Sequence, residues 1–463
     1  MLPLPLLAAL TLAAAPPRTF RVDYFHTGDH GKEIFSLDRL VVEPLPWPGN
    51  PARMVDDTGF GKWRFLVKDA RSKTLLYSRG FNSVFGEWED TPDAKERART
   101  FEESLRFPLP AGPVEITLEK RDKAGGFAPL WTFQVDPKDP TVSDALPDSP
   151  GPLIPLLKSG PSEQKVDLLI LGDGYTQAQR AKFEKDARRL VSILFTVSPF
   201  KERKRDFNVW GLCPASSQPG ISRPSTGIHR RSRVGATYDA FGSERYVLTF
   251  DNRSFRDVAS FAPYEFVEIL VNGNTYGGGG IFGLYSTVAA DSLWSPYVFV
   301  HEFGHHFAGL ADEYYTSESA MLPDVGRLEP WEPNVTALKD PANVKWKALL
   351  TPGVPIPTPW RKDEFEAMEK ATQAERKKIR AERRPESEMD ALFTREKGEA
   401  TRILGTDTYS GKVGAFEGAN YESRGFYRPQ EDCIMFTRDA VPFCKVCQSA
   451  ISLIIDLYTG GQK

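Results

Sequence analysis

The sequence predicts two domains of different class: an all-β sandwich over residues 18–140 and an α/β domain over 165–463, joined by a proline-rich linker at 141–164. Three observations carry this expectation. Before position 140, short apolar and aromatic runs alternate with polar and turn residues. After position 165, apolar strand-like runs alternate with segments of helical spacing. Between them the chain is rich in proline and small polar residues, which do not sustain regular structure.

In the first domain, Arg21-Val22-Asp23-Tyr24-Phe25, Trp63-Arg64-Phe65-Leu66-Val67 and Val114-Glu115-Ile116-Thr117-Leu118 have the period-two pattern of half-buried strands. Only Asp93 to Leu105 offers an amphipathic helix. With its own strand pattern and a linker behind it, this domain is expected to fold around a separate core, and nothing in it looks catalytic. Ahead of it, Met1 to Ala15 is apolar, too short to span a bilayer but of the length of a signal-peptide core, so residues 1–17 read as a cleaved leader. That points to a secreted, periplasmic or cell-surface protein. No later run is long enough for an integral membrane segment.

The second domain opens with Val166-Asp167-Leu168-Leu169-Ile170-Leu171, a buried strand ended by Gly172-Asp173-Gly174. Thr176 then caps a helix whose apolar positions Phe183, Ala187, Leu190, Ile193 and Leu194 recur at helical spacing. Further strands and helices suggest a mixed sheet. From 361 to 402 the chain is densely charged, with Phe365, Met368, Ile379, Met389 and Leu392 loosely at helical spacing; this reads as a solvated helical insertion, with a partner-binding arm as the alternative. Charge balance, 59 Lys+Arg against 62 Asp+Glu for a net −3, leaves no basic excess for a phosphate backbone, so nucleic acid is not an expected partner. Cys433, Cys444 and Cys447 cluster, with Cys213 apart. In an exported chain the cluster reads first as a disulfide; the spacing of Cys444 and Cys447 leaves a structural zinc site as the alternative.

The chemistry concentrates at His301-Glu302-Phe303-Gly304-His305. Ser295-Pro296 is a helix start and Gly309 a helix stop, so this HExxH lies on one helix. Four residues are about one turn, so His301 and His305 project from one face and can meet one Zn²⁺. Glu302 lies too far round to ligate but can reach a water held there, acting as general base and then acid in hydrolysis. His306 points about a quarter-turn away, toward a core role. An acidic pair, Asp312-Glu313, follows at third-ligand distance. Downstream, Cys433-Ile434-Met435-Phe436 places a methionine in a turn, and the four glycines after Tyr276 would let a substrate backbone approach closely or form a flexible loop.

Together these segments resemble the IgA-peptidase-like zinc metallopeptidases, the igalysins of the metzincin superfamily. The resemblance runs through Ser78-Arg79-Gly80-Phe81, Phe85-Gly86-Glu87-Trp88-Glu89, Leu171 to Thr176, the YGGGG segment, His301 to Tyr314, and Tyr427 to Met435. It implies a metzincin-like catalytic domain with a Met-turn at Met435, and protein or peptide substrates. Metzincins place a third ligand six residues after the second histidine, here Ala311. Asp312 is therefore the expected third ligand through a turn one residue longer, and Glu313 is the alternative. Thr437 stands where relatives have a tyrosine, which leaves Tyr314, Tyr421 and Tyr427 as candidates for stabilising an oxyanion. The function expected is a zinc-dependent endopeptidase; alternatives are a cell-surface binding protein on a peptidase scaffold, or glycan or peptide recognition by the sandwich.

Overall fold

The computed structural model describes residues 16–316 and 328–461. The leader expected over 1–17 lies outside them except for its last two residues.

The first domain comprises β1 (Arg18–Asp29), β2 (Lys32–Pro46), β3 (Trp63–Asp69), β4 (Leu75–Phe81), α1 (Val84–Glu89), α2 (Pro92–Glu96), β5 (Arg99–Pro108), β6 (Val114–Arg121) and β7 (Phe127–Val135). Two four-stranded sheets form, one in the order β5-β1-β2 with a short β8 (Val142–Ser143), the other β4-β3-β6-β7. Phe20, Val22, Phe65, Val67, Phe107 and Ile116 fill the space between them, because alternate residues of each strand face inward. The helix expected from Asp93 to Leu105 is a correction: only Pro92–Glu96 is helical. From Arg99 the chain is strand, since Phe101, Glu103, Leu105 and Phe107 alternate inward and pair along β1.

The segment 141–164 is less irregular than its prolines suggest. It supplies β8 and β9 (Ile154–Leu157), both at sheet edges, where a missing N–H is tolerated. The second domain then adds β10 (Val166–Asp173), α3 (Arg180–Leu194), β11 (Phe207–Leu212), β12 (Ala236–Thr237), β13 (Leu248–Thr249), α4 (Asn252–Ala259), β14 (Phe266–Val271), β15 (Gly278–Ile281), β16 (Tyr285–Ala289), α5 (Ser295–Ala308), α6 (Lys362–Ala381), α7 (Glu386–Leu404), β17 (Phe416–Ala419), β18 (Glu422–Arg428) and α8 (Lys445–Thr459). Its main sheet is mixed as expected: β16, β14, β10 and β11 are parallel, flanked by antiparallel β15 and β9. Thr176 and Gln179 form the reciprocal cap ahead of α3.

Two expectations change at the level of packing. Helices α6 and α7 form a hairpin most of whose charges face solvent, with Glu369 and Glu396 buried, and Phe365, Ile379, Met389, Leu392 and Phe393 are buried against the catalytic domain, Phe393 with its ring 5.0 Å from that of Tyr276. The charge density of the sequence masks this one apolar face. Nor is the first domain's core separate. Arg106 lies 3.6 Å from the Tyr264 ring centre and donates to Tyr264 O at 3.1 Å, Asn252 donates to Ser104 at 2.7 Å, and Arg21 reaches Asp257.

Heating should therefore unfold both domains in one calorimetric transition. Arg106→Ala, which removes the bidentate partner of buried Glu43 as well as the Tyr264 contact, should lower stability by about 3 kcal/mol without splitting that transition. Two resolved transitions would contradict the shared core.

Candidate metal centre and cleft

Helix α5 starts at Ser295 and ends at Gly309, whose φ of +58° reverses the chain as its lack of a side chain allows. The helix lies directly on β15 and β16, and glycine makes this possible. A Cβ on Gly280 would stand 2.3 Å from the Glu302 carbonyl oxygen, and one on Gly278 would stand 2.6 Å from Val298 Cγ1. The glycine run is thus an ordered edge strand and not a flexible loop, and Gly278 and Gly280 also line the cleft. It is a strand that lets the HExxH helix approach its backbone.

His301 Nδ1 lies 2.9 Å from Ile434 O, and His305 Nδ1 faces Leu310 O. A carbonyl only accepts, so each Nδ1 carries the hydrogen and each Nε2 presents a lone pair. The two Nε2 atoms are 3.2 Å apart, and Asp312 Oδ1 stands 3.1 Å from the first and 3.2 Å from the second. Asp312 Oδ1 is buried and accepts no hydrogen bond. Three acceptor atoms this close need positive charge between them, supplied by a proton or by a metal ion. A tetrahedral zinc with ligand bonds of about 2.0–2.1 Å would hold them about 3.3 Å apart, so these residues fit that metal. Burial opposes charge on the His305 ring, yet Asp312 raises it to about 9; the cluster draws in positive charge in any form. Burial likewise opposes ionisation of Asp312, but His305 and His301 hold its carboxyl well below the usual range.

Each expected residue can now be placed. His301, Glu302 and His305 bring their ligand atoms within 4.8 Å of one another, and all three line one cleft with Asp312. Burial pushes the Glu302 carboxyl up. Glu313 points the other way, its Oε1 3.0 Å from Asn334 Nδ2 and beside the cysteine cluster. His306 is fully buried, accepting from Val267 N–H at 3.1 Å and donating to Ile281 O at 3.1 Å, and burial lowers its ring to about 3: a neutral core histidine. Met435 lies beneath Gly304, its sulfur 3.1 Å from where a Cβ would stand, and its carbonyl accepts from Glu313 N–H at 2.9 Å.

Of the three tyrosines, Tyr421 donates to Asp312 Oδ2, and Tyr314 lines the cleft while accepting from Arg245 at 3.1 Å. Tyr427 is on β18 and is not among the cleft-lining residues. The disulfide is a correction: among the described residues every cysteine is a free thiol, and Cys444 and Cys447 hold their sulfurs 3.4 Å apart.

Sequence reasoning missed Asn82, Glu87, Arg245, Tyr246 and Trp331 in the cleft wall. Asn82 and Glu87 come from the first domain, whose Glu87 accepts from the Tyr246 hydroxyl at 2.9 Å. Burial pushes Glu87 up to about 7, so this wall is only partly charged at neutral pH. The resemblance at Phe85 to Glu89 was a signal, but no local pattern shows that it meets a residue 159 positions away.

A family model for IgA peptidase M64 matches residues 154–455, and one for the peptidase M64 N-terminus matches residues 13–132. The chain belongs to the IgA peptidase M64 family. As an M64 member it is a metallopeptidase, a peptide-bond hydrolase whose substrates are proteins, and the two matches give it the two-domain architecture of that family. No curated protein matches the chain. Among the described residues no helix is long and apolar enough to cross a membrane.

Gly280→Ala in this M64 peptidase should push α5 off its sheet, costing about 1–3 kcal/mol in thermal stability and lowering metal content together. Tyr421→Phe frees Asp312 Oδ2 and should weaken metal binding about 10–100-fold with the fold intact, as measured by competition with a chromogenic chelator. Unchanged affinity would remove Tyr421 from the support of Asp312.

Proposed function

We propose that this protein is an exported zinc-dependent endopeptidase with a metzincin-like catalytic domain, in which His301, His305 and Asp312 hold the zinc and Glu302 moves the protons. The observation that carries it is the convergence of His301 Nε2, His305 Nε2 and Asp312 Oδ1 within 3.2 Å, each imidazole fixed from behind by a backbone carbonyl. When bound, zinc supplies Lewis acidity at the scissile carbonyl and the attacking water.

Glu302, half-buried in the cleft lining, takes a proton from that water and passes it to the departing amine. Its raised carboxyl suits both halves of the task, since a very weak base would not accept the proton and a very strong one would not release it. Tyr314, with Arg245 behind its hydroxyl, is the tyrosine best placed to donate to the carbonyl oxygen as negative charge develops there. Met435, packed under Gly304, gives the helix an apolar floor in the manner of a Met-turn. Asn82 and Glu87 make the first domain one wall of the substrate cleft. The intact glutamate favours hydrolysis over a binding scaffold, which has no use for it.

Metal analysis with casein hydrolysis tests the assignment. Glu302→Ala should retain zinc and lose activity about 10²–10⁴-fold. Asp312→Ala should lose both zinc and activity. Zinc retained in Asp312→Ala, or near-full turnover in Glu302→Ala, would overturn the corresponding role.

A further inference from the structure

We infer that Glu313, Cys433, Cys444 and Cys447 form a second metal site on this chain, closed to substrate, that takes a zinc-class divalent ion. Their four ligand atoms all lie within 4.8 Å of one another. Cys447 Sγ is 3.4 Å from Cys444 Sγ, 4.0 Å from Cys433 Sγ and 3.3 Å from Glu313 Oε1, which is itself 3.7 Å from Cys444 Sγ. In a tetrahedral zinc site with Zn–S of about 2.3 Å and Zn–O of about 2.0–2.2 Å, sulfurs stand about 3.8 Å apart and sulfur and oxygen about 3.5 Å. The observed separations scatter around those values. None approaches the roughly 2.05 Å of a disulfide.

The surroundings suit a metal better than a free dithiol. Glu313 is 0% exposed and Cys444, the most exposed of the four, 3%. The second carboxylate oxygen of Glu313, Oε2, is buried with no hydrogen-bond partner, an arrangement that a cation would satisfy. Backbone N–H groups of Met435 and Cys444 point at Cys433 Sγ at 3.5 and 3.2 Å, and that of Cys447 at Cys444 Sγ at 3.4 Å. Such donors stabilise thiolates, and Cys444 also caps the positive end of the 15-residue helix α8. Three thiols and a carboxylate this close and this dry would otherwise have to stay protonated, whereas soft thiolates select zinc-class ions.

Four protein ligands leave no open position, so the role is structural. The site would tie together three segments that build the catalytic centre: Glu313 follows Asp312, Cys433 precedes the Ile434 carbonyl that orients His301, and Cys444 and Cys447 anchor α8. It does not depend on the peptidase reading.

The test uses the full chain carrying His305→Ala, which disables the other cluster, purified without chelator or reductant. Elemental analysis should still find one tightly held equivalent of zinc. Replacement by Co²⁺ should give the intense near-ultraviolet absorption of sulfur-to-cobalt charge transfer. Cys447→Ser should remove that equivalent and that band. Wild-type protein provides the same spectrum if either variant fails to fold. An absent thiolate–cobalt band in both proteins, or recovery of Cys444 and Cys447 as a disulfide when unreduced protein is unfolded and alkylated, would overturn the site and make the motif a redox pair.

Discussion

Two backbone carbonyls, those of Leu310 and Ile434, fix which nitrogen of each active-site imidazole carries hydrogen, and the rest of the centre depends on that. With each Nδ1 committed, both Nε2 lone pairs must face the same point, and Asp312 Oδ1 joins them there without a donor of its own. Lone pairs repel, so the arrangement is stable only around positive charge. The carbonyls come from opposite sides: Leu310 from the turn that follows Gly309, Ile434 from the segment that ends in the buried Met435. The cluster is thus a meeting of two distant stretches of chain, and the helix contributes only part of it.

The same logic explains the glycines. The helix can bring His305 and Glu302 to the cleft only if β15 lies against its backbone, and any side chain on Gly278 or Gly280 would hold it away. A run that looks like flexibility in the sequence is a close contact in the fold. His306 completes the attachment by bonding both β14 and Ile281 O through its two ring nitrogens, which burial keeps neutral. Its place next to His305 in the chain has no counterpart in chemistry.

The first domain takes part in the site. Its Glu87 meets Tyr246, its Asn82 N–H donates to Phe282 O at 2.8 Å, and its Phe60 packs on Phe282 and Trp331, so the cleft has a wall that the catalytic domain alone would lack. On the far side, the α6–α7 hairpin reaches back through Phe365 and Glu396 to Phe436 and Arg438, residues that follow Met435. The histidine–aspartate cluster is therefore braced on both sides by parts of the chain remote from HExxH in sequence.

Local patterns determined much of this protein. Periodicity identified the strands of the first domain, the buried strand at Val166 and the helix after Thr176, because each of these follows from which face of a short segment must be dry. The HExxH spacing placed the two histidines on one helix face with the glutamate beside them, since one helical turn is a property of any helix, and a turn one residue longer than the metzincin spacing favoured Asp312 over Glu313. What only the tertiary structure decided were matters of which segments meet. Alternation along β5 and its pairing with β1 outweighed the helical reading of residues 99–105, the hairpin's apolar face was hidden among its charges, and Glu87 reached the cleft from another domain. The cysteines show the reason most plainly. Spacing brings Cys444 and Cys447 together in any helix start, but whether they bond to each other or turn with Cys433 toward Glu313 depends on the direction of four side chains converging from separate segments, which no local pattern encodes.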